Sequence, residues 1–580
     1  MIDEVVSVLN ECGILEDINF LNDKQFKKFS YELIVEAKLI CNSSKIEIKI
    51  CIPKMWYERL VDIYIDDYGN LPFMPHISRD GKVCLFDIEG CLIDKNLAGI
   101  IVQSLFQAKK ILEQGVAGQN KDDFLEEFEL YVGELQNARQ AKFVVPQENK
   151  DMVVKYKQRT IKQHVKEKYY KYAKRKNESP FYVGKNAKEL ERWRIESECI
   201  KNAAYFVVYP ESFIYPPDIR NPLLLNYINM LLGYVSSRAT GLLKKLSKEK
   251  MVLFAIKQPN GTSNYVGFYM IEAVIEKVDN RFYFKSCKTI QPIGVSRADK
   301  EYMFLRSKDE GIHQNTKKIL VIGCGSIGGH LINELAKAGY EDLTIVDDDT
   351  LREENIYRHV LGMEYVAVAK CEAMASYINK NIPDVAIKTL KEKANEAILE
   401  GDIELDDFDV VISAVGSHNF NRWLNEYVIS KQMEIPVIYA WNEVCGIGNH
   451  VAYFKFGNKS CYECLFERDE HSGELYDKTA YCKRGQKVAY NSGGCGKSYV
   501  PYGNTISLKT VLICLDVLKD IVDNNLDDNM LVSLKGNECF FLSKGLELSS
   551  RYLKQSNQMI KLFGKEFVNC KCGICNGGRN

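Results

Sequence analysis

The stretch Lys318–Thr350, KILVIGCGSIGGHLINELAKAGYEDLTIVDDDT, constrains the fold more than any other part of the chain. A continuous apolar run, Ile319–Ile322, leads into Gly323-Cys324-Gly325-Ser326-Ile327-Gly328. A helical pattern then runs to Ala338, and a second apolar run, Leu343–Val346, ends on Asp347. The order strand, glycine turn, helix, strand, with an acid about twenty residues past the last glycine, is that of a nucleotide-binding βαβ unit. Gly323, Gly325 and Gly328 let the backbone approach phosphates, and the helix N-terminus offers them free N–H donors. Asp347 is placed to accept from ribose hydroxyls.

At 580 residues the chain has material for two to four domains. Its 77 basic and 78 acidic residues nearly cancel, so charge does not point to nucleic acid as the main partner. No apolar run reaches membrane-spanning length, and the acidic start MIDEVVSVLNECG is unlike a secretory signal. These features point to a cytoplasmic protein without a membrane partner. Its 19 cysteines are then thiols, metal ligands or nucleophiles rather than disulfides.

Residues 1–145 are expected to form an α+β domain. Met1–Leu21 is compatible with a helix. Tyr31–Cys41 and Lys45–Ile52 alternate like paired strands about a Ser43-Ser44 turn, and Leu60–Ile65 is a third strand candidate. A helix is expected from about Asn96 to Gln114. Between them, Pro75-His76 precedes a turn at Asp80-Gly81 and then Cys84. This order resembles the active-site region of ubiquitin-conjugating enzymes, where a His-Pro-Asn motif precedes a turn and the catalytic cysteine. The resemblance puts Met74 at the family's histidine, His76 at its asparagine and Cys84 at the nucleophile. It implies that His76 acts as a donor to the oxyanion or directs proton traffic. Cys84 is otherwise an inert thiol beside apolar residues, and Cys91 is a poorer fit to the nucleophile.

Residues 146–300 comprise a basic, tyrosine-rich linker and a middle module. The linker, from about Lys150 to Lys188, reads as a long solvated helix or as a partner-docking surface, with nucleic acid a lesser reading. In the middle module Ala203–Tyr215 and Met251–Asp279 alternate like strands, Asn221–Lys248 is helical in pattern, and no catalytic constellation is visible. An α/β or α+β module is expected.

Residues 301–580 carry a second resemblance. Asp347-Asp348-Asp349, followed by Asn355-Ile356-Tyr357-Arg358-His359, is similar to the adenylation signature of ubiquitin-activating enzymes and their bacterial ThiF/MoeB-type relatives. Here His359 replaces the signature's final glutamine. The resemblance implies a Rossmann-like adenylation domain that uses ATP. Asp347 would bind ribose, Asn355, Arg358 and Lys370 would line the phosphates, and Arg306 would match an arginine donated across a dimer. The family's strand-end aspartate is absent, Gly416 and Ser417 standing in its place, which leaves two readings open: Asp349 holds magnesium with water and phosphate, or ATP turnover is weakened.

Cys461-x-x-Cys464 and Cys572-x-x-Cys575 fit a tetrahedral structural zinc, with Cys570 an alternative ligand and reactive thiols an alternative use. Cys495 lies in Asn491-Ser492-Gly493-Gly494-Cys495-Gly496, ahead of a helix, an accessible setting for a nucleophile. The resemblance places a thioester cysteine in this loop, with Cys482 the competing candidate.

A conjugating-like domain first and an activating-like domain last resembles the activating–conjugating fusions associated with CD-NTases in CBASS anti-phage operons. That resemblance implies adenylation of a partner's C-terminal carboxylate, a thioester on Cys495, transfer to Cys84, and an amide with a target amine. It also implies that the partner is a cGAS-like nucleotidyltransferase and that the enzyme is a homodimer. Two other classes stay open, a sulfur-carrier adenylyltransferase and a non-catalytic nucleotide-binding scaffold. A dehydrogenase would leave Asn355, Arg358, Lys370 and the cysteine pairs without a role.

Overall fold

The computed structural model describes residues 2–21, 31–42, 44–86, 92–93, 95–158, 181–191, 200–305, 315–491, 498–524 and 526–575. The chain divides into two units, Met1–Met303 and Phe304–Asn580. No helix among the described residues is long and apolar enough to cross a membrane.

The first unit begins with helix α1 (Ile2–Glu11), which buries Val5 and Leu9 one turn apart. The single helix expected over Met1–Leu21 is not what forms. Gly13 takes φ +68, a left-handed conformation that ends helices, and Leu15–Leu21 is strand β1. Strands β2 (Tyr31–Cys41), β3 (Ser44–Pro53), β4 (Asp62–Ile65) and β5 (Lys82–Val83) complete an antiparallel sheet in the order β1-β2-β3-β4-β5. Helix α2 (Leu97–Val116) starts where the Asn96 side chain accepts from the Gly99 N–H at 3.0 Å. Its stripe Leu97, Ile101, Leu105, Ala108 and Leu112 packs on Ile48, Ile50, Ile52 and Ile63 to make the core.

The middle module is a closed barrel in the order β10-β11-β14-β6-β8-β7-β9. Its strands are β6 (Arg139–Phe143), β7 (Met152–Gln158), β8 (Phe181–Gly184), β9 (Lys201–Val208), β10 (Lys250–Lys257), β11 (Ser263–Ile271) and β14 (Thr289–Arg297). A hairpin, β12 (Val274–Val278) and β13 (Arg281–Ser286), leaves it. The linker's first part is therefore strand rather than long helix, because Val154 and Tyr156 alternate into the barrel core. Residues 159–180 of that linker lie outside the described residues. Helices α3 (Phe128–Glu134) and α4 (Leu224–Tyr234) cover the outside, burying Phe128, Tyr131, Ile228 and Leu232.

The second unit is built on an eight-stranded sheet, order β17-β16-β15-β18-β19-β20-β25-β26. These are β15 (Asn315–Ile322), β16 (Tyr340–Val346), β17 (Ala386–Leu390), β18 (Val410–Ser413), β19 (Val437–Asn442), β20 (Gly448–Phe454), β25 (Met530–Lys535) and β26 (Met559–Phe563). Two short hairpins lie between β20 and β25 in sequence: β21 (Phe466–Arg468) with β22 (Leu475–Asp477), and β23 (Tyr490–Asn491) with β24 (Ser498–Tyr499). Strands β15 to β19 run parallel, and β20, β25 and β26 extend the sheet antiparallel. Helices α5 (Ser326–Lys337), α6 (Lys370–Asn381), α7 (His418–Ser430) and α8 (Asn504–Val522) contribute to its packing. The chain passes from β15 to β16 on one side and returns to β18 on the other. That reversal opens a crevice at the carboxyl ends of the strands, where ligands bind in such sheets.

Candidate active site

At the end of β15 the chain must turn sharply into α5, and glycines permit it. Gly323 takes φ +93, and a Cβ at Gly328 would lie 1.8 Å from the Gly323 carbonyl oxygen. Gly325 caps α5. The turn is tied to the end of β16: the Cys324 N–H donates to Asp347 Oδ2 at 2.6 Å, and the Asp349 N–H donates to Oδ1 at 2.8 Å. Burial raises the Asp347 carboxyl above its ordinary value against these two donors. Two backbone donors thus fix its orientation and leave lone pairs for a further donor such as a ribose hydroxyl.

Two residues on, Asp349 Oδ2 accepts from Lys370 Nζ at 2.6 Å, and the Lys370 N–H donates to the Asp349 carbonyl at 3.0 Å. Burial pulls the Asp349 carboxyl up, but the hydrogen bond and charge of Lys370 outweigh it and hold it below the usual range. Lys370 is buried at the first turn of α6. The turn Glu353–Arg358 is a 3-10 helix in which Asn355 Oδ1 accepts from the Arg352 N–H at 3.1 Å. Arg358 stands with its guanidinium carbon 5.8 Å from the centre of the Tyr502 ring.

Asp349, Asn355, Arg358 and Lys370 line one cleft of 1270 Å3, together with Cys445 and residues of α8. The structure therefore brings together side chains that lie up to twenty-one positions apart in the sequence. Arg306 and Cys495 lie outside the described residues. Gly416 and Ser417 bring no carboxylate. Gly416 turns at φ +71, and Ser417 caps α7 by accepting from the Phe420 N–H at 3.4 Å. Among the described residues that line the cleft, the carboxylates are those of Asp349 and Glu354.

Sequence reasoning missed the turn that brings Cys445 to the cleft. Glu443 accepts from three sides: His450 Nε2 at 2.8 Å, the Tyr481 N–H at 2.6 Å and the Cys482 N–H at 2.8 Å. Next to it Cys445 adopts φ +55, unusual for a residue other than glycine, and its N–H donates to the Pro501 carbonyl at 2.7 Å. Burial, then the Glu443 charge, push the Cys482 thiol up to about 11, which suppresses the thiolate a nucleophile needs. Gly446, which ends this turn, and Gly448, which starts β20, were the available sequence signal.

The four cysteines of the two CxxC pairs converge. Their sulfurs all lie within 4.8 Å of one another, with Cys461 to Cys572 at 3.7 Å and Cys464 to Cys575 at 3.4 Å. A tetrahedral zinc with bonds of about 2.3 Å sets its sulfurs roughly 3.8 Å apart, so the donor set fits that ion. Exposed Cys570 is not one of the four.

In the first unit, Cys84 is exposed just after β5. The preceding turn depends on Gly81 at φ +82, where a Cβ would lie 2.5 Å from the Ile65 carbonyl oxygen. The Cys84 N–H donates to the His76 carbonyl at 2.7 Å. His76 itself takes φ +63, and its ring lies between two carboxylates, Glu127 Oε1 at 3.0 Å from Nδ1 and Asp123 Oδ2 at 2.9 Å from Nε2. The Glu127 hydrogen bond, with Asp123, raises its pKa to about 9 against the cost of burial. Met74, at the position of the family's histidine, is buried core packed on Gly115 of α2.

Residues 304–538 match the ThiF family, and residues 15–140 match the prokaryotic E2 family B. The chain is similar to the ATP-dependent ubiquitin transferase-like protein Cap2 of Pseudomonas aeruginosa, 28% identical over 284 residues, which is 48% of this chain and 49% of that protein. The Cap2 of Escherichia coli is 27% identical over 231 residues, 38% of each chain. The adenylyltransferase and sulfurtransferase UBA4 of Yarrowia lipolytica is 27% identical over 155 residues, 26% of this chain and 37% of that protein. The matches to these relatives thus span half or less of their length.

Proposed function

Because the chain joins a prokaryotic E2 family B domain to a ThiF-family domain, we propose that it is an ATP-dependent protein-conjugating enzyme. One observation carries this reading most: Asp347 is fixed beside the glycine turn while Asp349, Asn355, Arg358 and Lys370 line a single cleft. A separate unit carries the exposed thiol of Cys84.

A carboxylate does not acylate a thiol at neutral pH, because its leaving group is too poor. In the proposed reaction a carboxylate oxygen of the partner's C-terminus attacks the α-phosphorus of ATP. The bond from that phosphorus to the bridging oxygen breaks, and pyrophosphate leaves. Arg358 and Lys370 offset the charge that develops, with Asn355 beside them. The Cys495 thiolate then attacks the acyl carbon and AMP leaves. The Cys84 thiolate next attacks the same acyl carbon and Cys495 leaves as thiolate. An amine then attacks the Cys84 thioester, Cys84 leaving as thiolate and the amine's proton passing to solvent. His76, with both ring nitrogens committed to carboxylates, holds in place the backbone carbonyl that accepts from the Cys84 N–H and is not free to serve as a base.

The zinc fit of Cys461, Cys464, Cys572 and Cys575 supports a structural ion, which when bound cross-links two distant parts of the unit. The resemblance to activating–conjugating fusions supports a cGAS-like nucleotidyltransferase as partner, and a homodimer.

The test incubates wild type, Cys84→Ala and Cys495→Ala with Mg-ATP and a cGAS-like nucleotidyltransferase, read by intact mass. A reducible adduct abolished in Cys495→Ala and stalled on Cys495 in Cys84→Ala supports the relay. Full turnover in Cys84→Ala favours a sulfur-carrier adenylyltransferase, and nucleotide binding without any adduct favours a scaffold.

A further inference from the structure

The cleft is roomier than most small-molecule sites. Its 1270 Å3 exceeds the roughly 300–1,000 Å3 of most small-molecule sites. Asp349, Asn355, Arg358 and Lys370 come from the segment after β16 and the start of α6. The cleft is also lined from α8 and from the short helix Glu538–Ser543, which carry none of those groups.

Thr505 and Lys509 are four positions apart on α8, and Ile506 and Lys509 three apart, so one helix face brings all three to the cleft. On the short helix Asn537 accepts from the Phe540 N–H at 3.1 Å, and Lys544 follows the last turn with its ammonium 5.2 Å from the Phe540 ring centre. The Phe540 ring is 51% exposed, a large apolar surface left in an aqueous cleft. Among the described residues neither Lys509 nor Lys544 makes an ion pair. The carboxylates that line the cleft, Asp349 and Glu354, both come from the signature segment. Among the described residues that line the cleft, the α8 side is thus cationic and aromatic and contributes no carboxylate.

We propose that this side of the cleft seats the peptide segment leading to the partner's C-terminal carboxylate, and that Lys509, Lys544 and Phe540 select a segment with an acidic side chain near an apolar one. This rests on the adenylation reading above and specifies its substrate. Two ammonium groups in a partly enclosed cleft favour an anionic side chain and leave a cationic one repelled and without a partner. The Phe540 ring gives an apolar neighbour of that acid a surface to cover.

The experiment uses the full chain and a library of free-carboxylate decapeptides, randomised at the six positions before the last. With Mg-ATP present, hydroxylamine traps each activated peptide. Its nitrogen attacks the acyl carbon, AMP or the cysteine thiolate leaves, and the peptidyl hydroxamate is sequenced by mass spectrometry. The expected result is about a tenfold preference for Asp or Glu over Lys or Arg at one or two positions. In the Lys509→Glu/Lys544→Glu variant that preference reverses, while ATP binding, followed by calorimetry, is unchanged. Equal trapping of acidic and basic peptides by wild type overturns the inference and leaves adenylation standing. Loss of ATP binding in the variant also overturns it, because the lysines then belong to the nucleotide site. Hydroxamate formation from no peptide at all, with ATP still bound, overturns the adenylation reading itself.

Discussion

The imidazole of His359 donates from Nε2 to the carbonyl oxygen of Cys324, 2.7 Å away, while its Nδ1 accepts from the Leu361 N–H at 3.1 Å. The residue that replaces the signature's glutamine therefore braces the glycine turn from beneath. Its ring also lies where a Cβ on Gly329 would be, 2.8 Å from the nearest ring atom, so the two positions are matched.

His359→Ala leaves the Cys324 carbonyl and the Leu361 N–H without their partner, a cost of about 1–2 kcal/mol. ATP affinity, measured by calorimetry, is expected to fall about tenfold. His359→Gln, whose amide can donate to the same carbonyl, is expected to stay within about threefold of wild type.

The same residue gives a pH signature. Burial pushes His359 down to about 4, below its ordinary 6.5. The unfolded state then binds the proton first as pH falls. Stability is fully present above about pH 6.5 and is lost as pH drops toward 4, by roughly 3 kcal/mol. The denaturant midpoint of wild type is expected to fall more steeply than that of His359→Gln over this window.

His76 shifts the other way. Its two carboxylates raise it to about 9, so the stability it contributes is fully present below about pH 6.5 and is lost as pH rises through 9. His76→Gln is expected to remove that alkaline loss in melting curves between pH 7 and 10. Amide formation from a Cys84 thioester is expected to show no inflection near pH 6.5 attributable to His76.

Lys370→Met takes the cation from the cleft and frees Asp349 of its partner at 2.6 Å. Pyrophosphate release is expected to fall by about two to three orders of magnitude, the scale of losing one preorganised group at a charged transition state. The melting midpoint is expected to move little, since Asp349 stays open to water.

Cys461→Ser or Cys572→Ser is expected to abolish binding of one equivalent of zinc, measured by elemental mass spectrometry. The linked folding energy is several kcal/mol. At about 2–4 °C per kcal/mol the melting midpoint of the second unit falls by roughly 10 °C.

Local patterns carried much of the fold. The βαβ unit at Lys318–Thr350, the meander from Tyr31 to Ile65 and the helix after Asn96 are all legible, because each is fixed by apolar period and glycine placement within a short window. The barrel is not. Strand β7 sits in a run dominated by lysine and tyrosine, and its inward pair Val154 and Tyr156 is too short a signal against that charge. Closure joins β6 to β14 across about 150 residues, which no local pattern records.

In the site, the residues of one signature were readable, since their spacing follows from one turn and one helix. Glu443 and His450 were not. Their meeting depends on the antiparallel return of β20 beside β19, and Glu443 then gathers N–H groups from Tyr481 and Cys482 far along the chain. Gly416 and Ser417, legible only as a missing aspartate, have positive reasons to be there as a left-handed turn and a helix cap.

The segment carrying Cys495 is moored at both ends to one short turn. Cys482 is held by Glu443, and Pro501 by the N–H of Cys445. Between those moorings Tyr490 and Asn491 pair with Tyr499 and Ser498, the residues on either side of the stretch that contains Cys495. In the proposed relay the same short turn that lines the nucleotide cleft through Cys445 also anchors the chain carrying the acceptor thiol, so activation and capture share one foundation.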